Sequence, residues 1–149
     1  MIKYLYFLKY VIFYRYDHED NENVEEIFPV GFFSSKKKTL GAIDECLEFK
    51  GTNKEYFQIE KFRIEFNESL KKIYFVQHEF AIYRENGDII DYHYYFTPKA
   101  TENEAIALCE KMKKKRKYKY NENRDYSTYP PDGFIIDDWT IDKNYFHGF

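Results

Sequence analysis

Three segments of this 149-residue chain recur in the same order, and no other feature of the sequence restricts the fold as much. Phe33-Ser34 returns as Phe96-Thr97, an offset of 63. Ala42-Ile43-Asp44-Glu45-Cys46 returns as Ala105-Ile106-Ala107-Leu108-Cys109 at the same offset, with Ala, Ile and Cys in identical places. Phe57-x-Ile59-Glu60-x-Phe62-x-Ile64 returns as Phe134-x-Ile136-Asp137-x-Trp139-x-Ile141, now offset by 77, which places a 14-residue insertion in the second copy. One chance match is unremarkable, but three in the same order imply a duplicated module. The expected organisation is one domain, 1–149, built of copies at 2–66 and 72–149, with the insertion at about 118–131.

Each copy reads β-β-α-β. In the first, 4–16 and 24–33 are rich in aromatic and β-branched residues, which suit a half-buried pleated surface. Ser34 or Ser35 can cap a helix whose apolar positions are Leu40, Ile43, Cys46 and Leu47, and Gly51 supplies a positive φ to end it. A third strand follows at 57–66. In the second copy, strands at 73–84 and 89–97 flank Asn86-Gly87, a strong hairpin signal. Thr101 and Glu104 have capping-box spacing before a stripe of Ala105, Leu108, Cys109 and Met112, with a helix end near Lys117. The last strand is expected at 133–142. Phe and Ile at its first and third positions, then an aromatic and Ile at the sixth and eighth, require both sheet faces to be covered or a β-bulge near Glu60-Lys61 and Asp137-Asp138, the bulge being favoured. A right-handed crossover then gives strand order 3-1-2, the third strand parallel to the second. The fold class is α+β: tandem β-β-α-β units, antiparallel or mixed sheets, one helix per repeat.

Composition narrows the class further. Aromatic residues are 21% and charged residues 33% of the chain, a mixture that excludes disorder. With 23 Lys and Arg against 26 Asp and Glu the net charge is −3, which disfavours whole-molecule attraction to nucleic acid or an anionic membrane. The apolar run at 2–16 is interrupted by Lys9 and is too short to span a bilayer, so it reads as a strand. A cytoplasmic location is expected. Cys46 and Cys109, without CxxC spacing, fit a reducing compartment and core positions on the two helices.

The ending Tyr129-Pro130-Pro131-Asp132-Gly133-Phe134-Ile135-Ile136-Asp137-Asp138-Trp139-Thr140-Ile141-Asp142 resembles the closing motif of a family of short bacterial and phage domains, and Gly31-Phe32-Phe33-Ser34-Ser35 resembles that family's helix-opening segment. These two segments make up 19 of the 149 residues. Pro131 is an extra residue against the pattern, and Phe146 and His147 stand where Trp and an acid are expected. The family carries no assigned activity, so the resemblance implies a layout and no chemistry.

Candidate sites are few. If Asn86-Gly87 is a two-residue turn, His93 opposes Phe80, Asp91 opposes Ile82 and His78 opposes Tyr95, which puts His78, Asp91 and His93 on one face as a conceivable acid-base or metal cluster. Decoration of a sheet face explains that pattern better, and GxSxG, HExxH, P-loop and GxGxxG motifs are lacking. No catalytic residue, metal or cofactor is therefore expected. Lys113, Lys114, Lys115 and Arg116, within the run from Lys111 to Lys119, form the one strong basic cluster. They could grip phosphates, or simply complement a helix C-terminus. Tyr4, Tyr6, Tyr10, Tyr14 and Tyr16 recur at even spacing, as do Tyr92 and Tyr94, so they line strand faces, and a tyrosine-rich face left uncovered by helix would be a docking surface; the candidates for protein contact are Tyr92, Tyr94, Tyr118, Tyr120 and Tyr126. The expected function is a non-enzymatic protein-binding module of the kind found among bacterial immunity (toxin-neutralising) and phage accessory proteins. Its partner would be another protein, a toxin for example, or a second copy in a homodimer. The alternative is a nucleic-acid binder using the basic helix end at 111–119.

Overall fold

The computed structural model describes residues 2–15, 23–65, 70–83, 89–115, 126–128 and 133–148. In chain order these form β1 (Ile2–Arg15), β2 (Asn23–Phe33), α1 (Lys36–Cys46), a 3-10 turn (Lys54–Tyr56), β3 (Phe57–Glu65), β4 (Lys72–Tyr83), β5 (Ile89–Tyr95), α2 (Glu102–Lys113), β6 (Tyr126–Thr128) and β7 (Phe134–Thr140). The protein is α+β. It divides into two compact units, Met1–Lys71 with Trp139–Phe149, and Lys72–Asp138. Residues 139–149, placed by the repeat in the second copy, thus pack with the first.

In the first unit the sheet order is β2-β1-β3, and both neighbours run antiparallel to β1, so β3 is parallel to β2. This is the 3-1-2 order expected of a crossover through one helix. The bulge lies elsewhere than expected. β3 pairs with β1 without a shift from Tyr10↔Phe57 to Ile2↔Glu65, whereas the register of β2 slips between Leu8↔Gly31 and Lys9↔Pro29, leaving Val30 as the extra residue. Strict alternation along β3 survives because both faces of this sheet accept apolar groups. Leu8, Tyr10, Val30 and Phe33 pack with Ala42, Ile43 and Cys46 of α1 and with Phe146, and the half-buried Phe57 joins them. On the other face Leu5, Phe7, Phe32 and Ile64 are buried, Phe7 stacking on Phe32 at 4.7 Å and meeting Phe62 at 6.4 Å.

α1 begins where the Ser35 hydroxyl accepts the Lys38 N–H. Its buried stripe is Thr39, Ala42, Ile43 and Cys46 rather than one containing Leu40, which is 46% exposed. The helix stops at Cys46, with Leu47 still right-handed, and Gly51 (φ +88°) instead closes the turn after it. Tyr10 shows why a buried tyrosine is tolerated here: at 1% exposure its hydroxyl accepts the Asn53 N–H at 3.0 Å.

In the second unit β4 pairs antiparallel with β5 and β6 and also pairs with β7. The Thr101 hydroxyl caps α2 by accepting the Glu104 N–H and donates to the Glu104 carboxylate at 2.9 Å. Ala105 and Cys109 are buried with Val76 and Phe134, and Leu108 and Met112 pack beside them, as the stripe predicts. α2 ends at Lys113, four residues before the expected Lys117, and the insertion contributes a strand, β6, against Phe80–Ile82. Along β7, alternation breaks at the two exposed residues Asp137 and Asp138, where the chain passes from the second unit to the first.

Candidate binding surface

Since odd and even positions of a strand face opposite ways, the register fixes what shares a face. Tyr4, Tyr6, Leu8 and Tyr10 of β1 lie opposite Arg63, Lys61, Ile59 and Phe57 of β3, all on the side that carries α1. α1 lies against β1 and β2. Tyr4 and Ile59 are left 48% and 42% exposed, with Lys61 and Arg63 exposed between them. The Lys61 ammonium sits 4.2 Å from the centroid of the Tyr4 ring and 5.9 Å from that of Tyr6, a cation–π contact worth about 0.5–1 kcal/mol at an exposed site. Among the described residues, neither Lys61 nor Arg63 has a carboxylate at ion-pair distance.

The placement of α1 to one side is enforced by the chain's end. After β7 the tail runs antiparallel along the outer edge of β2, where the Asp142 N–H donates to the Phe32 carbonyl and the Tyr145 N–H to that of Val30, each at 2.8 Å. Asp142 takes φ +65°, and its carboxylate then accepts the Ser34 N–H (2.7 Å), the Ser34 hydroxyl (2.8 and 3.0 Å) and the Lys38 ammonium (3.0 Å). Partial burial would raise the Asp142 pKa, but the Ser34 backbone and hydroxyl bonds and then Lys38 outweigh it, holding the group below the ordinary carboxylate value. Gly31 is needed beneath this strap: a Cβ there would collide with the Lys143 carbonyl oxygen. Asn144 bonds to the Ala42 carbonyl and meets the Cys46 sulfur, and Trp139 packs edge-on to Tyr145 and Phe32. The helix-opening segment and the closing motif, 108 residues apart, therefore meet at Ser34 and Asp142.

Lys38 faces Asp142 at the β2 edge, which identifies that flank of α1. Lys36, Leu40 and Leu47, at i, i+4 and i+11, occupy the opposite flank, toward β3. The exposed Leu40 and Lys36 are thereby on the flank of α1 away from the strap.

Other candidate residues are distributed differently. β4 and β5 pair as His78↔Tyr94, Phe80↔Tyr92, Ala81↔Asp91 and Glu79↔His93, one residue out of the expected register. The slip reverses every face assignment, so Asp91 and His93 lie on the face opposite His78, and the proposed triad is dismantled. Tyr83↔Ile89 is the last described pair, and the expected turn at Asn86-Gly87 lies outside the described residues. His78 is buried, its ring 4.5 Å from that of Phe134. Among the described residues no group of three His, Cys, Asp or Glu is gathered as metal ligands would be, and no helix is long and apolar enough to cross a membrane.

Tyr94 is 42% exposed; Tyr92 and Tyr126 are paired in β5 and β6, their side chains outside the described set, while Tyr118, Tyr120 and Arg116 lie outside the described residues altogether. Lys113 is 3.6 Å from Glu110, and Lys114 and Lys115 are exposed past the end of α2. Cys46 is buried, and burial pushes its thiol pKa up against the opposing bond from Asn144, which leaves the neutral, unreactive form dominant. Ile59, Lys61, Arg63 and Leu40 were not singled out by sequence motifs, although the alternation of β3 already places the first three in one row. No protein-family model, no curated protein and no solved structure matches this chain.

Proposed function

We propose that this chain is a non-enzymatic protein-binding module, assembled from two copies of a β-β-α-β unit, that uses the tyrosine-bearing face beside α1 as its contact surface. The observation that carries the reading is the exposure of Tyr4 and Ile59 in one sheet row bordered by Lys61 and Arg63. Tyrosine and arginine around an apolar centre are enriched where proteins meet, because they combine large contact area with polar edges. The duplication is supported by the like pairing of the two sheets, β1 between β2 and β3 and β4 paired with both β5 and β7, and by the burial of Cys46 and Cys109 at the 63-residue offset of the repeat. An immunity protein or a phage accessory protein is the setting this reading favours, with a toxin or another protein as partner.

A photo-crosslinking residue placed at Tyr4 tests the reading in cells that make the protein. A discrete protein adduct formed from position 4, and not from the exposed helix position Asp44, is the expected result. Equal yields from both positions, or adducts with nucleic acid alone, would remove it.

A further inference from the structure

We infer that the surface beside α1 takes an acidic protein segment carrying apolar side chains; the inference rests on the contact surface proposed above and names the chemistry of its partner. The floor is apolar, made by Ile59 and the rings of Tyr4 and Tyr6, and Leu40 is exposed on the flank of α1 turned away from the strap. Its rim is cationic: Lys61 and Arg63 stand on β3 and Lys36 on the same flank of α1 as Leu40. Glu65 is the acid sharing their row. Lys61 rests on the Tyr4 ring, and none of the three cations has a carboxylate partner among the described residues. In a molecule of net charge −3 such a local excess attracts carboxylates without making the whole surface polyanion-binding.

Charge complementarity selects this occupant over two others. A second copy would bring the same three cations against themselves. A nucleic-acid strand would meet aliphatic Ile59 where a base needs a flat ring, and the net charge of −3 opposes a polyanion along its length. An acidic segment buries that aliphatic group with its own leucine or phenylalanine side chains and needs only a few carboxylates, set against Lys61 and Arg63. The two edges of the sheet differ in the same sense. The strap occupies β2's outer edge, whereas the exposed residues of β3 lie along the other.

The test is fluorescence anisotropy of the full-length protein with a labelled peptide of alternating glutamate and leucine, against its lysine-leucine counterpart and a single-stranded oligothymidylate. The glutamate peptide is expected to bind saturably, weakening about tenfold between about 0.05 M and about 0.3 M salt, while the lysine peptide and the oligonucleotide do not. The exposed pair Lys61→Glu with Arg63→Glu should weaken binding more than about tenfold, and the neutral pair Lys61→Gln with Arg63→Gln should fall between the two, while both pairs lower the melting temperature by no more than about 4 °C, the loss of the Lys61–Tyr4 contact. Equal binding of the oligonucleotide, no binding of the glutamate peptide, or indifference to both pairs of substitutions overturns the acidic partner. If crosslinking from position 4 nevertheless yields a protein adduct, the contact surface stands and only the chemistry assigned to its partner falls.

Discussion

Asp142 does three things at once: it accepts a positive φ, donates its amide to the β2 edge and gathers Ser34 and Lys38 on its carboxylate. Asp142→Ala removes the acceptor and the side chain that makes left-handed backbone tolerable, and should cost about 1–3 kcal/mol in urea unfolding. Asp142→Asn keeps the backbone preference and should cost less. Because the folded pKa of Asp142 is depressed, its contribution is complete above the unfolded value of about 3.9 and is lost as pH falls through the lower folded one. Wild-type stability should therefore drop more steeply than that of Asp142→Asn in that acid range, and the two should run parallel near neutrality. Gly31→Ala must move the Lys143 carbonyl, a backbone atom, and is expected to cost about 1–3 kcal/mol by the same assay.

At the scale of elements, the helices were legible from short-range chemistry: hydroxyl caps before apolar stripes gave Thr101 and narrowed the first cap to Ser34 or Ser35, of which Ser35 accepts the Lys38 N–H. Strand positions followed from aromatic and β-branched runs, and the 3-1-2 order from crossover geometry. The β4–β5 register did not, because Asn86-Gly87 marks a turn without fixing how many residues it contains, and an error of one residue moves His78 to the other face from Asp91 and His93. The bulge at Val30 was equally illegible, since it answers to a tail that arrives more than 100 residues later. For the same reason the exposed row of β3 could not be known in advance: its exposure depends on where the strap holds α1. Helix α1 carries Lys36 and Lys37 in its first turn and no acid there, against its dipole. Lys37→Glu, on the solvent side, should therefore raise stability by about 0.3–1 kcal/mol in thermal unfolding, while Thr101→Ala, which removes the α2 cap, should lower it by about 1 kcal/mol.

For the whole molecule, the decisive fact is that one compact unit is made from both ends of the sequence. Residues 139–149 return to the first unit and bring Phe146 into the cluster of Leu8, Tyr10, Ile43 and Cys46. Its ring lies 5.9 Å from that of Tyr10, 5.5 Å from Phe49 and 6.4 Å from Phe57, so it joins the first strand, the turn after α1 and the third strand through one side chain. A β-sheet edge such as β2 is otherwise open to pairing with other chains, and the strap that Phe146 anchors is what closes it. Phe146→Ala should cost about 3–5 kcal/mol, the usual consequence of emptying a buried aromatic site. Native-state hydrogen exchange separates this from a merely local defect. The amides of Asp142 and Tyr145, which bond to β2, should lose protection together with those of α1, whose inner face rests on the same cluster. If the Asp142 and Tyr145 amides kept their wild-type protection in Phe146→Ala, the anchoring role of that ring would be refuted, and the short bonds of Asp142 to Ser34 and Lys38 would have to hold the strap by themselves.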